Sequence, residues 1–420
     1  MIRQRITTMI GKSVKAAARL RGGGSALPGL VVERIDPSFI RHTLAQLPQG
    51  VVIISGTNGK TTTTKIVVEL LEAAGLRVFS NRTGSNFSRG VAAALLGAVD
   101  RRGRLNADIA VLELDEAWAV KFVQMVKPRY SLLLNVMRDQ LDRFGEIDAT
   151  AELLGHIAEA TTDTVVLNRD DPRIFALRQK AACQVAYFGM TTELLQLMPT
   201  DDALKSGGAT ANEAAEAEVL LTKADGATAG FRIGDGEFTA TVQLTGVYNL
   251  LNAAAALSLV RCITPTTPVA TLLDAVSTVQ PAFGRGETIM LDGTPIELIL
   301  VKNPSGFRLS LLSFAGAGAA TMIAINDNYA DGRDLSWLWD VEFTALPSVA
   351  MVSGARAYDM ALRLGYDDVP VTTVTPDLRS ALDEFLGAHP TTPKHIYCSY
   401  TAMTTIRKIL AEKTEVEDII

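Results

Sequence analysis

Several features that would assign a protein to a specialised class are scarce in this sequence. Only three of its 420 residues are cysteines, and no Cys-x-x-Cys pair occurs. A disulfide framework and a cysteine zinc site are therefore not expected, and a reducing cytoplasm suits the chain. A net charge of −6 gives no sign of bulk nucleic-acid binding. The apolar stretch 309–325 is interrupted by glycine and serine, so we predict a helix end followed by a strand rather than a membrane span.

Acidic residues are missing from the first 21 positions, which carry six basic ones. The apolar residues between Ile2 and Val14 are spaced so that they can share one helical face. No long apolar run and no small-residue cleavage site follow, so a signal peptide is not expected. Two interpretations stay open: the helix lies on an anionic membrane surface, or it packs on the protein with a solvated basic face.

The stretch VVIISGTNGKTTTTKIVVELLEAAG, beginning at Val51, combines a strand, a glycine loop and a helix. Residues 51–54 are β-branched and continuous, which is typical of a strand buried on both faces. Apolar residues then recur at helical spacing as far as Ala74, and Gly75 ends the helix. A helix start offers N–H groups and a positive dipole end to a phosphate, Lys60 adds a charge, and Thr61 can place a hydroxyl on magnesium. Only two residues separate Gly56 from Gly59, whereas the usual P-loop has four.

Further strands are predicted at LRVFSN, ADIAVLELDEA, YSLLLNV and DTVVLN, with helices between them, which indicates a mostly parallel sheet. GFRIGDGEFTATVQL predicts a hairpin. Beyond PAFGRGET, five more strand candidates (PIELILVK, ATMIAIN, SVAMVSG, VPVTTV and KHIYCSY) alternate with helices. We therefore predict an α/β protein with a basic N-terminal segment (1–45), a central domain (46–285) with a peripheral polar insertion near 191–217, and a smaller α/β C-terminal domain (286–420).

Several polar residues follow these predicted elements. Glu113 ends a strand, where the ligands of open α/β sheets collect, and is a natural magnesium ligand facing a P-loop threonine. Asp115 and Glu116 follow it closely, and the alternative interpretation of this stretch is a solvated acidic turn. Asn249 and Asn252 lie at i, i+3 on one helix, where they can read an adenine edge or serve as cap and surface residues. Arg285 stands between two glycines at the domain boundary and can reach an inter-domain cleft.

In their order along the chain, these pieces resemble the Mur ligase family. The resemblance is carried by GTNGKTTT, NRTGSN, LELDE, NVMRDQLDRFGEID, VLNRDDP, GVYNLLNAAAA and GRGE. It implies that ATP phosphorylates a substrate carboxylate and that an amine then attacks the acyl phosphate. It also implies that Mg²⁺ is held by Thr61 and Glu113. The nucleotide-binding residues it implies are Thr57, Asn58, Gly59, Lys60, Thr61, Thr62, Asn249, Asn252 and Arg285.

Three departures do not favour a role in adding amino acids. Asp139-Gln140 stands where such members have Asp-His, the segment EIDATAELLGHIAEA lacks their carbamylated lysine, and LVKNPSGF replaces their DYAHNP-like stretch. LVKNPSGF and INDNYADGRDLSWLWDVEF instead resemble the MurT-type branch of the family. Many members of that branch carry a four-cysteine zinc ribbon near the position of 191–217, and this chain has no cysteine there.

The MurT-type resemblance implies amidation of the D-glutamate α-carboxylate in the lipid II stem peptide. The ammonia comes from a GatD-type class I glutaminase, whose catalytic triad Asp334 would complete. Lys302 and Asn303 are candidate contacts for the acyl phosphate or the peptide. We expect a cytoplasmic heterodimer that works at the inner membrane surface and binds no nucleic acid. The alternatives are another Mur-like amide ligase, such as folylpolyglutamate synthase, and a nucleotide-dependent scaffold without chemistry of its own.

Overall fold

The computed structural model describes residues 7–15, 27–81, 88–137, 147–198, 211–244, 246–280, 285–316 and 318–416. Within these ranges the chain forms two sheets, each covered by helices. The predicted α/β class with a mostly parallel sheet is confirmed.

The first sheet has nine strands in the order β2-β3-β1-β4-β5-β6-β7-β8-β9. Neighbouring strands are parallel from β2 to β7, and the pairs β7-β8 and β8-β9 are antiparallel. The strands are β1 (Val51–Ser55), β2 (Val78–Ser80), β3 (Ile109–Glu113), β4 (Tyr130–Leu133), β5 (Thr164–Asn168), β6 (Gln184–Met190), β7 (Val219–Asp225), β8 (Thr228–Ile233) and β9 (Gly236–Thr241).

The helices that belong with this sheet cover both of its faces. They are residues 7–15, Leu27–Ile35, Phe39–Leu44, Lys60–Ala73, Ser88–Ala98, Glu116–Met125, Ile147–Ala160, Pro172–Ala176, Thr192–Gln196, Val247–Ile263 and Val269–Thr278. Strand β1 shows why the sequence requires this arrangement. Its side chains alternate between two cores, with Val52 and Ile54 in one and Val51 and Ile53 in the other. A continuous β-branched run is therefore buried on both faces, as predicted.

The second sheet has six strands in the order β10-β11-β15-β12-β13-β14. All neighbours are parallel except β10 and β11. The strands are β10 (Arg285–Leu291), β11 (Thr294–Leu300), β12 (Ala320–Ala324), β13 (Val349–Ser353), β14 (Val371–Val374) and β15 (Lys394–Cys398). The accompanying helices are Pro304–Phe314, Ala357–Tyr366, Leu378–Ala388 and Tyr400–Ala411, with a 3₁₀ turn at Ser336–Asp340.

The predicted strands of both halves, the hairpin of β8 and β9, and the helix and strand within 309–325 are confirmed. The prediction missed β6, β7 and β10. The division at 45/46 and 285/286 stays a prediction; the chain passes from one sheet to the other between Thr278 and Arg285. Part of the predicted insertion forms the helix Thr192–Gln196, and residues 199–210 lie outside the described ranges.

The N-terminal helix, described over residues 7–15, packs on the central domain. Thr7, Thr8 and Gly11 are buried, and Lys12 Nζ donates to the Val99 carbonyl at 2.5 Å. Met9 and Ile10 are 63% and 40% exposed, so these two residues of the predicted apolar face do not form the contact with the protein. Among the described residues, no helix is both long and apolar enough to cross a bilayer.

Candidate functional site: a phosphate-binding loop between two domains

The loop after β1 turns on two glycines with positive φ. Gly56 has φ +136° and Gly59 has φ +89°, and Gly59 immediately precedes the helix Lys60–Ala73. The first backbone hydrogen bond of this helix runs from Thr63 N–H to the Gly59 carbonyl. The amides of Thr61 and Thr62 lie in the turn before that ladder begins, which is where a helix start offers N–H groups to an anion.

Asn135, at the end of β4, holds the loop from the adjacent strand. Its carbonyl accepts from Thr57 N–H at 3.0 Å, and its side chain bonds both backbone groups of Asn58, at 2.9 and 3.0 Å. Thr57 Oγ1 adds bonds to the backbone of Met137. The sequence analysis did not single out Asn135, although it opens the motif NVMRDQ. Arg138 to Glu146 lie outside the described residues, and so does the predicted departure at Asp139 and Gln140.

The predicted magnesium pair is brought together. Thr61 Oγ1 donates to Glu113 Oε1 at 3.0 Å. Glu113 is anchored by Asn81, whose side chain bonds the Glu113 N–H at 3.0 Å and its carbonyl at 2.9 Å. Asn81 is 4% exposed and opens the motif NRTGSN, so the motif was recognised without this role.

Lys60 and Glu116 form a buried ion pair. Lys60 Nζ lies 3.0 Å from Glu116 Oε1, and the two side chains are 10% and 3% exposed. The same ammonium donates to the carbonyls of Gly56, at 2.5 Å, and Thr57, at 3.4 Å. Glu116 is therefore not part of a solvated acidic turn. Its neighbour Asp115 caps the following helix, accepting from Ala117 N–H at 3.2 Å.

The motif VLNRDDP braces the strand end that carries Asn135. Asn168 Nδ2 donates to the Leu134 carbonyl at 3.0 Å, and Asp171 Oδ2 accepts from Val136 N–H at 2.8 Å. Burial raises the pKa of the Asp171 carboxyl, against the opposing effect of three backbone N–H groups that favour its charged form. Two residues of this motif thus act on the loop through Asn135.

The two candidate asparagines of GVYNLLN are on the buried side of the helix Val247–Ile263. Asn249 is fully buried and Asn252 is 7% exposed. The Asn252 amide lies so close to Gly59 that a Cβ at that position would overlap it. Asn252 therefore supports the start of the loop helix, and its contact with Gly59 explains why this position of the loop is glycine.

Asn303 joins the C-terminal domain to the loop. It is fully buried, and its Oδ1 caps the helix Pro304–Phe314 by accepting from Gly306 N–H at 2.7 Å. Its Nδ2 donates to Asn58 Oδ1 at 3.2 Å. Lys302 precedes it and is half-buried. Arg285 begins β10, and its side chain lies outside the described part of the structure.

A cavity of about 720 Å³ opens beside this inter-domain contact. Its central-domain wall includes Met137, Met198 and the helix start at 246–248, and its C-terminal wall includes Arg308 and Leu309. Met137 also touches the loop, since Asn58 Nδ2 lies 3.6 Å from its Sδ. The cavity is mostly apolar and lies beside the loop, which is the arrangement of a small-molecule site.

Asp334 lies apart from the loop, after β12 in the C-terminal sheet. Its Oδ1 accepts from Ser336 N–H at 2.9 Å, and the residue is half-buried. Nearby Asp331 is 3% exposed and bonds Thr401 through both carboxylate oxygens, at 2.7 and 2.6 Å. Asp331 thus secures the segment, while Asp334 stays near the surface.

The residues present fit a magnesium nucleotide. A hydroxyl and a carboxylate oxygen meet at Thr61 and Glu113, and oxygen ligands are those that Mg²⁺ prefers. The helix start and Lys60 supply positive potential for phosphate. The positive φ values of Gly56 and Gly59 form the turn that leads into this helix start. Together these groups can bind a nucleoside triphosphate and stabilise charge on a transferring phosphoryl group.

Comparisons with known proteins identify the family to which both parts of the chain are similar. Residues 54–260 match the model of the Mur ligase middle domain and residues 300–403 that of the MurT ligase C-terminal domain. The structure of MurF ligase from Thermotoga maritima in complex with ADP superposes with a TM-score of 0.67 at 18% identity, covering 90% of this chain and 83% of that one. Fold and site together define a Mur-ligase-type enzyme.

Two full-length relatives identify the branch. The chain is 30% identical to the lipid II isoglutaminyl synthase (glutamine-hydrolyzing) subunit MurT of Streptococcus pneumoniae, over 96% of both chains. It is 27% identical to the subunit of that name from Staphylococcus aureus, over 89% of this chain and 90% of the relative. The chain belongs to the MurT family of Mur-type ligases.

Proposed function

We propose that the protein is the ATP-dependent synthetase subunit that amidates the α-carboxylate of D-glutamate in the lipid II stem peptide. The observation that carries this proposal is the full-length match to a MurT subunit, together with a phosphate loop whose Thr61 and Glu113 are in contact. A carboxylate oxygen attacks the γ-phosphorus of ATP, and ADP leaves. Ammonia then attacks the acyl carbon, phosphate leaves, and a proton is lost, which gives D-isoglutamine.

In this proposal the loop holds the phosphates through Lys60 and the N–H groups of residues 59, 61 and 62. The Asn58 N–H, which the sequence had also suggested, already donates to Asn135 Oδ1. Thr61 and Glu113 would hold Mg²⁺, which would supply positive charge to the phosphates. Catalysis of phosphoryl transfer is mostly positioning and electrostatic stabilisation, so these groups carry most of the rate enhancement. Asn135 and Asn81 keep the loop and Glu113 in place, which supports such preorganisation.

The cavity between the domains takes the base and ribose of the nucleotide. It adjoins the loop at Met137, and its mostly apolar walls suit a heteroaromatic ring. The N-cap of Pro304–Phe314 reaches the loop through Asn303 and Asn58. We accordingly assign Asn303 to the loop rather than to the peptide, while Lys302 stays a candidate for the acyl phosphate.

The ammonia comes from a class I glutaminase subunit that docks where Asp334 lies. A Cys-His pair needs a third group to orient its imidazole, and a half-buried carboxylate near the surface is available for that role. Tyr329, Tyr358 and Tyr400 follow the carboxyl ends of β12, β13 and β15 and are 94%, 71% and 45% exposed. Tyrosine is enriched at protein interfaces, which supports a partner on this edge of the sheet.

The lipid substrate places the working enzyme at the inner membrane surface. Met9 and Ile10 are 63% and 40% exposed on the N-terminal helix and provide apolar side chains for such a contact. Cosedimentation with anionic vesicles tests this part of the proposal. Equal binding by the wild type and a Met9→Ser/Ile10→Ser variant would contradict it.

Reconstitution with the glutaminase, lipid II and glutamine tests the main proposal. Asp334→Asn should keep the fold and the association but remove glutamine hydrolysis, because asparagine cannot stabilise the imidazolium. In Ser-His-Asp enzymes the same change lowers the rate by about 10⁴. High ammonium should then restore part of the amidation, since ammonia bypasses the glutaminase.

Asp340→Asn, at an exposed carboxylate six positions further on, is the matched control and should behave like the wild type. Full glutaminase activity in the Asp334→Asn complex would refute the cross-subunit triad. Failure of the wild-type pair to amidate lipid II even with ammonium would refute the function itself.

A further inference from the structure

Helix capping does not explain the position of the Glu116 side chain in its ion pair with Lys60. Glu116 lies in the first turn of the helix Glu116–Met125, but the N-cap of that helix is Asp115. Glu116 instead turns inward, is 2% exposed, and places Oε1 3.0 Å from Lys60 Nζ. Burying a carboxylate is unfavourable unless it is paired, so its position depends on the ammonium.

Among the described residues, three acceptors lie within hydrogen-bond distance of the ammonium, which has three N–H donors. Two are carbonyls of the loop, those of Gly56 and Thr57, and the third is Glu116 Oε1. The two carbonyls belong to the same loop as Lys60, whereas Glu116 belongs to a different element, the helix after β3. A phosphate oxygen that is to receive a hydrogen bond from Lys60 has to take the place of one of these acceptors.

We propose that Glu116 is a positioning residue that acts as the resident counter-charge of Lys60 and that nucleotide phosphate replaces it. Glu116 keeps the ammonium buried and directed into the loop before nucleotide arrives. When the β- and γ-phosphates bind, they take over the hydrogen bond, and the carboxylate gives up its place. This inference rests on the proposed function only in that the loop binds a nucleotide.

The replacement of Glu116 by phosphate should lower the affinity for the nucleotide. Two negative charges close to one ammonium repel each other, and at about 6 Å with an effective dielectric constant near 20 this amounts to a few kcal/mol. Wild-type Glu116 should therefore weaken the binding of a nucleotide whose phosphates reach Lys60. Removing its charge while keeping its shape should strengthen that binding.

The test compares the binding of metal-free ADP and AMP by calorimetry in wild-type and Glu116→Gln protein. Glu116→Gln should bind ADP roughly tenfold more tightly, allowing for screening of the repulsion. Its affinity for AMP should not change, because AMP has no β-phosphate to reach Lys60. A purely structural role would lower the melting temperature but would not improve ADP affinity.

Asp115→Asn is the matched control, since it removes one charge from the adjacent residue while asparagine still caps a helix. It should leave the affinity for ADP unchanged. Unchanged or weaker ADP binding by folded Glu116→Gln, or an equal gain in Asp115→Asn, overturns the inference.

Folding of each variant is checked by circular dichroism and thermal unfolding. If Glu116→Gln does not fold, Glu116→Asp takes its place, because its shorter side chain moves the carboxylate away from Lys60 by one methylene. We then expect a smaller increase in affinity for ADP and none for AMP. If the affinity for ADP does not increase, the inference is overturned. If wild-type protein binds neither nucleotide, with or without Mg²⁺, the inference and the proposed function both fail. Normal binding by the wild type without a gain in Glu116→Gln overturns the inference alone, so the two failures are distinguishable.

Discussion

Gly59 and Gly75 allow the contribution of the loop geometry to be measured. Both have a positive φ, +89° and +88°, and they stand just before the start and just after the end of the same helix. A methyl group at Gly59 would overlap the Asn252 amide, whereas a methyl at Gly75 has nothing within 4 Å. Alanine at either position is strained by about 1–2 kcal/mol because of the left-handed backbone.

Gly59→Ala should be more destabilising because Asn252 cannot withdraw. Asn252 is part of a helix that is buried from Asn249 to Val260, so the overlap must be relieved by shifting packed elements. Such overpacking typically adds about 1–3 kcal/mol. We expect a total of about 2–5 kcal/mol for Gly59→Ala and 1–2 kcal/mol for Gly75→Ala. In a domain of this size that corresponds to roughly 4–20 °C and 2–8 °C in melting temperature.

The assay is thermal unfolding combined with ADP binding. Gly59→Ala should lose most ADP affinity, because the helix start that faces the phosphate is displaced, and Gly75→Ala should retain it. The double variant Gly59→Ala/Asn252→Ala removes the overlapping amide and should recover part of the stability. Equal losses for the two single variants, or no recovery in the double variant, would refute the reasoning.

Three further predictions follow from the same structure. Lys60→Ala should abolish ATP-dependent amidation but leave glutamine hydrolysis by the partner largely intact, and normal amidation would contradict the site. The same change leaves Glu116 buried without its counter-charge, so the free energy of unfolding should fall by about 3–5 kcal/mol. In Asn303→Ser the serine still caps the helix but is too short to reach Asn58, so the KM for ATP should rise at a nearly unchanged melting temperature. Asn303→Ala should in addition lose about 1 kcal/mol of stability. Equal KM values in wild type and Asn303→Ser would count against the inter-domain contact. Burial raises the pKa of Cys262 to about 12 and thereby favours the neutral thiol. At pH 8 this thiol should therefore resist iodoacetamide in the folded protein and react after unfolding in urea, which mass spectrometry can measure. Equal labelling in both states would contradict the burial.

Much of the chemistry was readable from local sequence. A β-branched run, two glycines and Gly-Lys-Thr predict the strand, the loop and the helix start, because each depends on residues within one short segment. The placement of Glu113 opposite Thr61 followed from a general rule, since the carboxyl ends of parallel strands meet at one edge of a sheet. The alternation of strands and helices likewise predicted the parallel sheet without any knowledge of strand order.

The residues that hold the loop were decided by the tertiary structure. Asn135, Glu116 and Asn303 contact loop residues 77, 56 and 245 positions away along the chain. Their contacts depend on strand order, since β3 and β4 lie on either side of β1. They also depend on how the helix Pro304–Phe314 packs against the loop. Local periodicity determines which face of an element is buried, but it carries no information about which distant element covers that face. By itself, therefore, the sequence determined the strand, the glycine loop and the helix start, and only the folded chain decided which buried side chains position them.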